Sequence, residues 1–245
     1  MNTEKNGNLF NAGFALAVAL VLASIVMAWA ITQNKKSDQT ITVTGSARER
    51  IKSDLVIWRA GVSYQAAQPQ GAYSSLTDAI SKIKAYLKSK GIAEDQMTVS
   101  SISSMTLHGK DSDGNETSEI TGYSLRQEIQ VRSGDVDRIE RIAREATELI
   151  NQGILLESSA PEYYYTKIAD LKIKMLAAAA ADAKVRAEQV AKSTGSSIGS
   201  VRTARMGVMQ ITPADSNEVS GEGINDTSSL EKDITAVVNV GFAVD

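Results

Sequence analysis

Tyr123-Ser124-Leu125-Arg126-Gln127-Glu128-Ile129-Gln130-Val131-Arg132 places Tyr123, Leu125, Ile129 and Val131 in alternation with Ser124, Arg126, Glu128, Gln130 and Arg132. A period of two with one apolar and one charged face describes a strand half in a core and half in water. The period then changes. Val136, Ile139, Ile142, Ala143, Ala146, Leu149 and Ile150 recur at helical spacing, and Gly153 supplies a stop.

The same order lies upstream. Val56, Trp58, Ala60, Val62 and Tyr64 share one face of a strand, with Arg59, Ser63 and Gln65 on the other. Pro69 opens a helix whose stripe is Ala72, Leu76, Ala79, Ile80, Ile83 and Leu87, ended by Gly91. A strand over about 97–107 follows, then a polar hairpin tip at 109–116 without an apolar residue. Ile41 and Val43 mark a first short strand, and Ile154 and Leu156 open one that runs toward 163–165. Strand–helix–strand therefore occurs twice, over roughly 55–107 and 120–165, and reads as two related halves sharing a core. Helices with one apolar side and strands with one wet face predict an α+β class: a mixed, mostly antiparallel sheet with amphipathic helices on one face.

A long Ala-rich helix spans about 168–193, with Leu176, Ala180, Ala183, Ala187 and Val190 on one face. Alanine has the highest helix propensity, and its small side chain admits another backbone. That backbone belongs either to the same domain or to a neighbouring subunit. On either account, leucine at Ala180 or Ala183 is expected to overpack the contact. A strand near 201–211 precedes a polar stretch, 213–229, too poor in apolar residues to build a core. In the final strand Ile234, Ala236, Val238, Val240, Phe242 and Val244 share a face.

Residues 12–31 carry no charge and consist mostly of Ala, Leu, Val and Ile. Twenty such residues span roughly 30 Å as a helix, the thickness of a bilayer's hydrocarbon core. A retained transmembrane anchor with Trp29 at the interface is the reading adopted. A cleaved signal, for which Ala28-Trp29-Ala30 supplies the small-x-small pattern, is the alternative. The expected organisation is a short tail (1–11), the anchor or signal segment (12–31), a linker (32–39) and one α+β domain (40–245). The domain is expected in the periplasm or another extracytoplasmic space, with the membrane as its partner through 12–31.

Of 245 residues none is cysteine and one, His108, is histidine. This excludes disulfides, thiolate metal centres and Cys nucleophiles, and leaves no imidazole cluster. A net charge of −3 gives no pull toward nucleic acid. His108 stands beside the hairpin tip and reads as a loop histidine. Asp111-x-Asp113-x-Asn115 opens like a calcium loop, but Glu116 occupies the required glycine position and Gly122 that of the final acid. Glu94-Asp95 and the Glu231/Asp233 pair read as scattered surface acids. No catalytic residue, cofactor or metal is assigned. Consecutive Tyr163, Tyr164 and Tyr165 must point alternately, so at least one ring faces outward. Tyr163 and Tyr165, with Ala180, Ala183 and Ala187, are the candidates for self-association; in the alternative, Tyr164 packs inward and the other two cap a sheet edge.

Val43-Thr44-Gly45-Ser46-Ala47, then Ser53-Asp54-Leu55 and a strand ending in Gly61-Val62, form the first of three landmarks. The second is Gly91-Ile92-Ala93-Glu94-Asp95-Gln96-Met97-Thr98. The third is Ala183-Lys184-Val185-Arg186-Ala187-Glu188-Gln189-Val190-Ala191, leading to Gly195 and Ile198-Gly199-Ser200-Val201. In order and spacing they resemble the SIMPL (DUF541) family of bacterial membrane-attached, periplasmic or secreted proteins. Ser46-Ala47 and Ser53-Asp54 stand where that family usually has a Gly-x-Gly step and a Pro-Asp pair. The resemblance implies an α+β envelope protein, homo-oligomeric, attached to the bacterial inner membrane and linked to oxidative-stress tolerance, with no catalytic set to carry over. It also implies that Gly45 and Asp54 are structural turn residues. A periplasmic ligand-binding module, with loops 109–119 and 213–229 bordering a cleft, is the alternative function.

Overall fold

The computed structural model describes residues 14, 16–28 and 39–244. Its elements are β1 (Thr40–Lys52), β2 (Leu55–Ala66), α1 (Pro69–Ser89), β3 (Met97–Val99), β4 (Ser103–Lys110), β5 (Glu116–Ser133), α2 (Val136–Glu145), β6 (Glu157–Ser158), β7 (Glu162–Tyr164), α3 (Ile168–Ser193), β8 (Ile198–Met206), β9 (Gln210–Pro213) and β10 (Glu231–Val244). The α+β class stands, but the strands divide between two sheets. One has the order β1-β10-β8 with β9 also on β10; the other has the order β3-β5-β2-β6 with β4 on β5 and β7 on β2. Within 40–244, contacts gather in two compact units. A central unit holds Arg48–Ile173 and Val208–Thr235; a terminal unit holds Lys174–Gly207 with the flanking residues through Ala47 and from Ala236.

The central unit follows from the alternation in β2 and β5. They pair antiparallel from Val56↔Ser133 to Ala66↔Tyr123, so Trp58 lies opposite Val131 and Ala60 opposite Ile129. Leu76, Ile83 and Leu87 of α1 and Val136, Ile139 and Ile142 of α2 join these strands in one core. Each fully buried Leu, Ile or Val there contributes about 1.5–3 kcal/mol of transfer free energy. Trp58 is completely buried, and its indole N–H donates to Ser158 Oγ at 3.0 Å. The opposite face carries ion pairs such as Arg59–Glu162 and Arg126–Glu128.

The two strand–helix–strand passages share one core. β5 lies between β2 and β3, so the two strand–helix–strand passages interleave in one sheet, in the split β-α-β manner. Several boundaries differ. β1 extends to Lys52, well past the short strand that Ile41 and Val43 mark. The strand expected over 97–107 breaks after Val99, because Ser100 turns its N–H to the Glu128 carbonyl and its hydroxyl oxygen to the Glu128 N–H. α2 tightens after Glu145 into a 3₁₀ turn, Ala146–Gln152, which leaves Ile150 exposed. The strand toward the tyrosines is two short pieces, β6 and β7, separated by a stretch that contains Pro161. The strand near 201–211 is likewise two, β8 and β9, each paired with its own part of β10.

In the terminal unit α3 buries Met175, Ala179, Ala183, Ala187 and Ala191. This strict four-residue spacing drifts around a helix of 3.6 residues per turn, as contact with a twisted sheet requires. The stripe differs from the one read from sequence, because five consecutive alanines (177–181) supply small residues on every face. Ala183 and Ala187 are therefore internal, whereas Ala180 is exposed. Leucine at Ala183 is expected to cost about 1–3 kcal/mol or more. Leucine at Ala180 is expected to stay within about 0.5 kcal/mol of wild type, read from urea midpoints of both.

Candidate functional site

Of the three tyrosines, the sheet register decides which points inward. β7 pairs with β2 so that Tyr163 lies opposite Val56 and Tyr164 opposite Leu55. Val56 is core, and Tyr163 therefore also faces the helices, 8% exposed, with its hydroxyl donating to Glu140 Oε1 at 2.6 Å. Tyr164 is half-buried on the other side and donates to Glu162 Oε2 at 2.6 Å. This reverses the alternative in which Tyr164 packs inward. It also removes the Tyr163 ring from any outer surface, while Tyr165 remains half-buried.

Burial, reinforced by Glu140, pushes the Tyr163 hydroxyl up to about 12. The unfolded chain releases that proton near pH 10, so between about pH 10 and 12 the folded state binds more protons and loses stability as pH rises. Two pKa units correspond to roughly 2.7 kcal/mol over this window. Urea unfolding from pH 8 to 11.5 is expected to fall more steeply for wild type than for Tyr163→Phe, which should cost about 1 kcal/mol at neutral pH.

Beneath the tyrosines lies a small cavity of about 120 Å³, bordered by Ile51, Tyr165, Ile168, Ile211, Asp226 and Lys232. The Lys232 ammonium is buried and donates to the Tyr163 carbonyl at 2.7 Å and to the Asp226 carbonyl. Burial lowers its pKa, and the Asp226 charge opposes that shift. The Asp226 carboxylate sits 4.0 Å away. Burial would raise the Asp226 pKa, but hydrogen bonds from Ser228 and Ser229 bring it below the usual value. Lys232 thus ties β10 to β7 and to the loop before it. The 213–229 stretch is accordingly not a free loop. The buried Gln210 side chain donates to the Val208 and Ser220 carbonyls and accepts from the Ser220 and Ile224 N–H groups. Polar side chains organise here what apolar ones cannot. The 109–119 hairpin does not border this cavity.

Asp233, read as a surface acid, is 2% exposed. It accepts from Arg48 Nη2 at 2.6 Å, from Arg50 Nε at 3.1 Å and from the Asp215 N–H at 2.9 Å. It follows Glu231 and Lys232 at the polar start of β10, so nothing in the sequence marks it as buried. The two expected turn residues separate. Asp54 does lie between β1 and β2, where it accepts from the Thr166 N–H at 2.7 Å and the Thr166 hydroxyl at 2.8 Å. Gly45 instead lies inside β1, where a Cβ would fall 2.2 Å from the Ala179 carbonyl oxygen and 2.6 Å from Ala183 Cβ. Close backbone approach, rather than a turn, demands glycine there. Asp182 fastens the same contact, accepting from the Ser46 N–H at 2.8 Å and from Arg186 at 2.7 Å.

His108 lies on β4 beside the tip, where Asp111 accepts from the Asp113 and Asn115 N–H groups as an Asx turn. Among the described residues no group of three or more His, Asp or Glu converges on a metal-sized site. Phe14 and residues 16–28 are helical, with exposed apolar side chains. The remainder of the 12–31 segment, the 1–11 tail and most of the linker lie outside the described residues. No helix among the described residues is long and apolar enough to cross a membrane.

The chain is similar to the 26 kDa periplasmic immunogenic proteins of Brucella melitensis and Brucella abortus. Each is 28% identical over 158 residues, which cover 62% of this chain and 62% of the relative. The SIMPL model, described as a protein of unknown function (DUF541), matches residues 41–242, which takes in both sheets and all three helices α1 to α3. A match over that much of the length places this chain in the SIMPL family.

Proposed function

We propose that this is a non-enzymatic envelope protein, held at the inner membrane through residues 12–31 with the 40–245 domain in the periplasm, and working as a homo-oligomer. One observation carries the anchoring: on the 16–28 helix Leu16, Leu20, Val26 and Met27 are each more than 60% exposed. Such a row is unfavourable in water and at home in lipid. The periplasmic relatives support the location. Assembly is supported by apolar side chains exposed on the β4–β5 hairpin, Met105 and Ile120. The link to stress tolerance rests on the family resemblance alone.

Cross-linking in intact membranes, followed by extraction in mild detergent and mass measurement, tests this. A membrane-bound species at a multiple of 26.2 kDa is expected. Recovery as a soluble monomer overturns it. The second reading, a periplasmic ligand-binding module, is favoured by the cavity beneath the tyrosines.

A further inference from the structure

Lys232 ends in the wall of the small cavity, because both carbonyls that hold its ammonium belong to residues that border it, Tyr163 and Asp226. An ammonium has three N–H groups, and the structure gives partners to two of them. Asp226 Oδ2, at 4.0 Å, is beyond hydrogen-bond reach. That carboxylate is also spent: Oδ1 accepts from the Ser228 N–H and hydroxyl, and Oδ2 from the Ser229 N–H. One N–H of a side chain only 2% exposed is thus left without an acceptor. Two N–H groups are what a neutral amine has. Held by the two carbonyls, that amine turns its lone pair toward the third, unpaired direction. Burial lowers the Lys232 pKa and so raises the share of neutral amine at neutral pH. A desolvated lysine of this kind is nucleophilic toward carbonyl carbon.

The cavity limits what reaches this amine. Its volume of about 120 Å³ is the share of roughly four water molecules at ~30 Å³ each, room for about five heavy atoms in a chain. Ile51, Ile168 and Ile211 give it an apolar side, and Asn225 and Thr227, whose side chains hydrogen-bond to no other described residue, border it too. We propose that this is a site for short unbranched aliphatic aldehydes, which Lys232 captures reversibly as an imine. The amine nitrogen adds to the carbonyl carbon and the carbonyl oxygen takes the proton, giving a carbinolamine. This loses water as the C=N bond forms. Overall, ammonium and aldehyde give iminium and water, so no further reactant is needed and the positive charge facing Asp226 is kept. Carbon dioxide would instead leave a carbamate anion beside Asp226, and a carboxylate ligand would place a second anion there; like charge disfavours both. The iminium retains one N–H, so one of the two carbonyl hydrogen bonds is surrendered, which keeps the capture reversible. This inference rests on the ligand-binding reading and names its ligand class.

The experiment uses the full-length chain in its own membranes, with butanal as probe and cyanoborohydride to reduce the iminium to a stable butylamine, read by peptide mapping. Exposed Lys110 is the internal reference. Near neutral pH, Lys232 is expected to be butylated at least about tenfold faster than Lys110, and in the urea-unfolded chain that difference should vanish. Cyclohexanecarbaldehyde, too bulky for the cavity, should label Lys110 but not Lys232. Asn225→Trp, which fills the cavity from an exposed position, should cut butylation of Lys232 by about tenfold or more. Ile168→Phe repeats the test from another wall, and urea midpoints confirm that both variants fold. Lys232 butylated no faster than Lys110, labelled equally by both aldehydes, or undiminished in the two variants would overturn the aldehyde site. Butanamide, which does not condense with amines, separates this failure from that of the broader reading. If it raises the urea midpoint of wild type but not of Asn225→Trp, while no butyl adduct forms, covalent capture is overturned and a ligand-binding module stands. Neither an adduct nor a midpoint shift would overturn both.

Discussion

Gly45→Val is expected to destabilise the terminal unit by about 4 kcal/mol or more, among the larger effects a single side chain produces. The cause is backbone against backbone. A Cβ at Gly45 would sit 2.2 Å from the Ala179 carbonyl oxygen and 2.4 Å from the Ala183 nitrogen, and neither atom belongs to a side chain able to swing away. The helix as a whole must lift from β1. Lifting it also separates the Asp182 carboxylate from the Ser46 N–H, a hydrogen bond that helps hold this carboxyl below its usual pKa. Gly45→Ala already introduces the clash and should cost a large part of the same amount. Ser46→Ala is the control: its side chain is exposed and only its backbone N–H is used, so a change within about 0.5 kcal/mol is expected. Urea midpoints of the three variants check this. A Gly45→Val protein as stable as wild type would mean that α3 does not rest on β1 at this distance.

How much of this was legible depends on what kind of signal each element carries. β2, β5, α1 and α2 bury one face and wet the other, so their periods survive in sequence, and their core residues were readable almost one by one. The buried stripe of α3 was not, since a run of alanines has no periodicity to read. Gly45 was legible as a required glycine but not as a contact, because its partner lies more than a hundred residues away. Sheet membership was illegible for a related reason. β8 and β9 look like one strand in sequence and separate only because β10, pairing with both, keeps each in its own register. The tyrosines turned on parity, which only the pairing of Tyr163 with Val56 fixes. Least readable were the buried polar groups. Gln210, Lys232 and Asp233 carry the chemistry of surface residues and give no hint of burial by type.

Asp233 is where that hidden polarity should cost most when removed. Asp233→Ala is expected to destabilise the central unit by about 2–3 kcal/mol, the cost of removing a buried acceptor and leaving its backbone donor unpaired. The loss goes beyond attraction. Arg48 would keep only the Ser216 carbonyl and Arg50 only the Asp215 carboxylate, and the Asp215 N–H would lose its acceptor. Asp215 is held at a φ of 65°, a left-handed conformation that this hydrogen bond helps maintain. Asp233→Asn keeps an acceptor for Asp215 and should lose less. Single replacement of either arginine should also lose less, since both are about half exposed and the other remains. The pH dependence gives a second, independent reading. The Arg50 and Arg48 guanidiniums and the Asp215 N–H hold the Asp233 carboxyl far below the usual range against the effect of burial. The unfolded chain takes up that proton near pH 4, before the folded one does. The contribution is therefore complete above about pH 4 and is lost as pH falls further, toward the folded-state value. Urea unfolding between pH 5 and 2.5 should decline more steeply for wild type than for Asp233→Asn. Parallel profiles, together with an Asp233→Ala midpoint close to wild type, would show that the carboxylate contributes nothing to the fold.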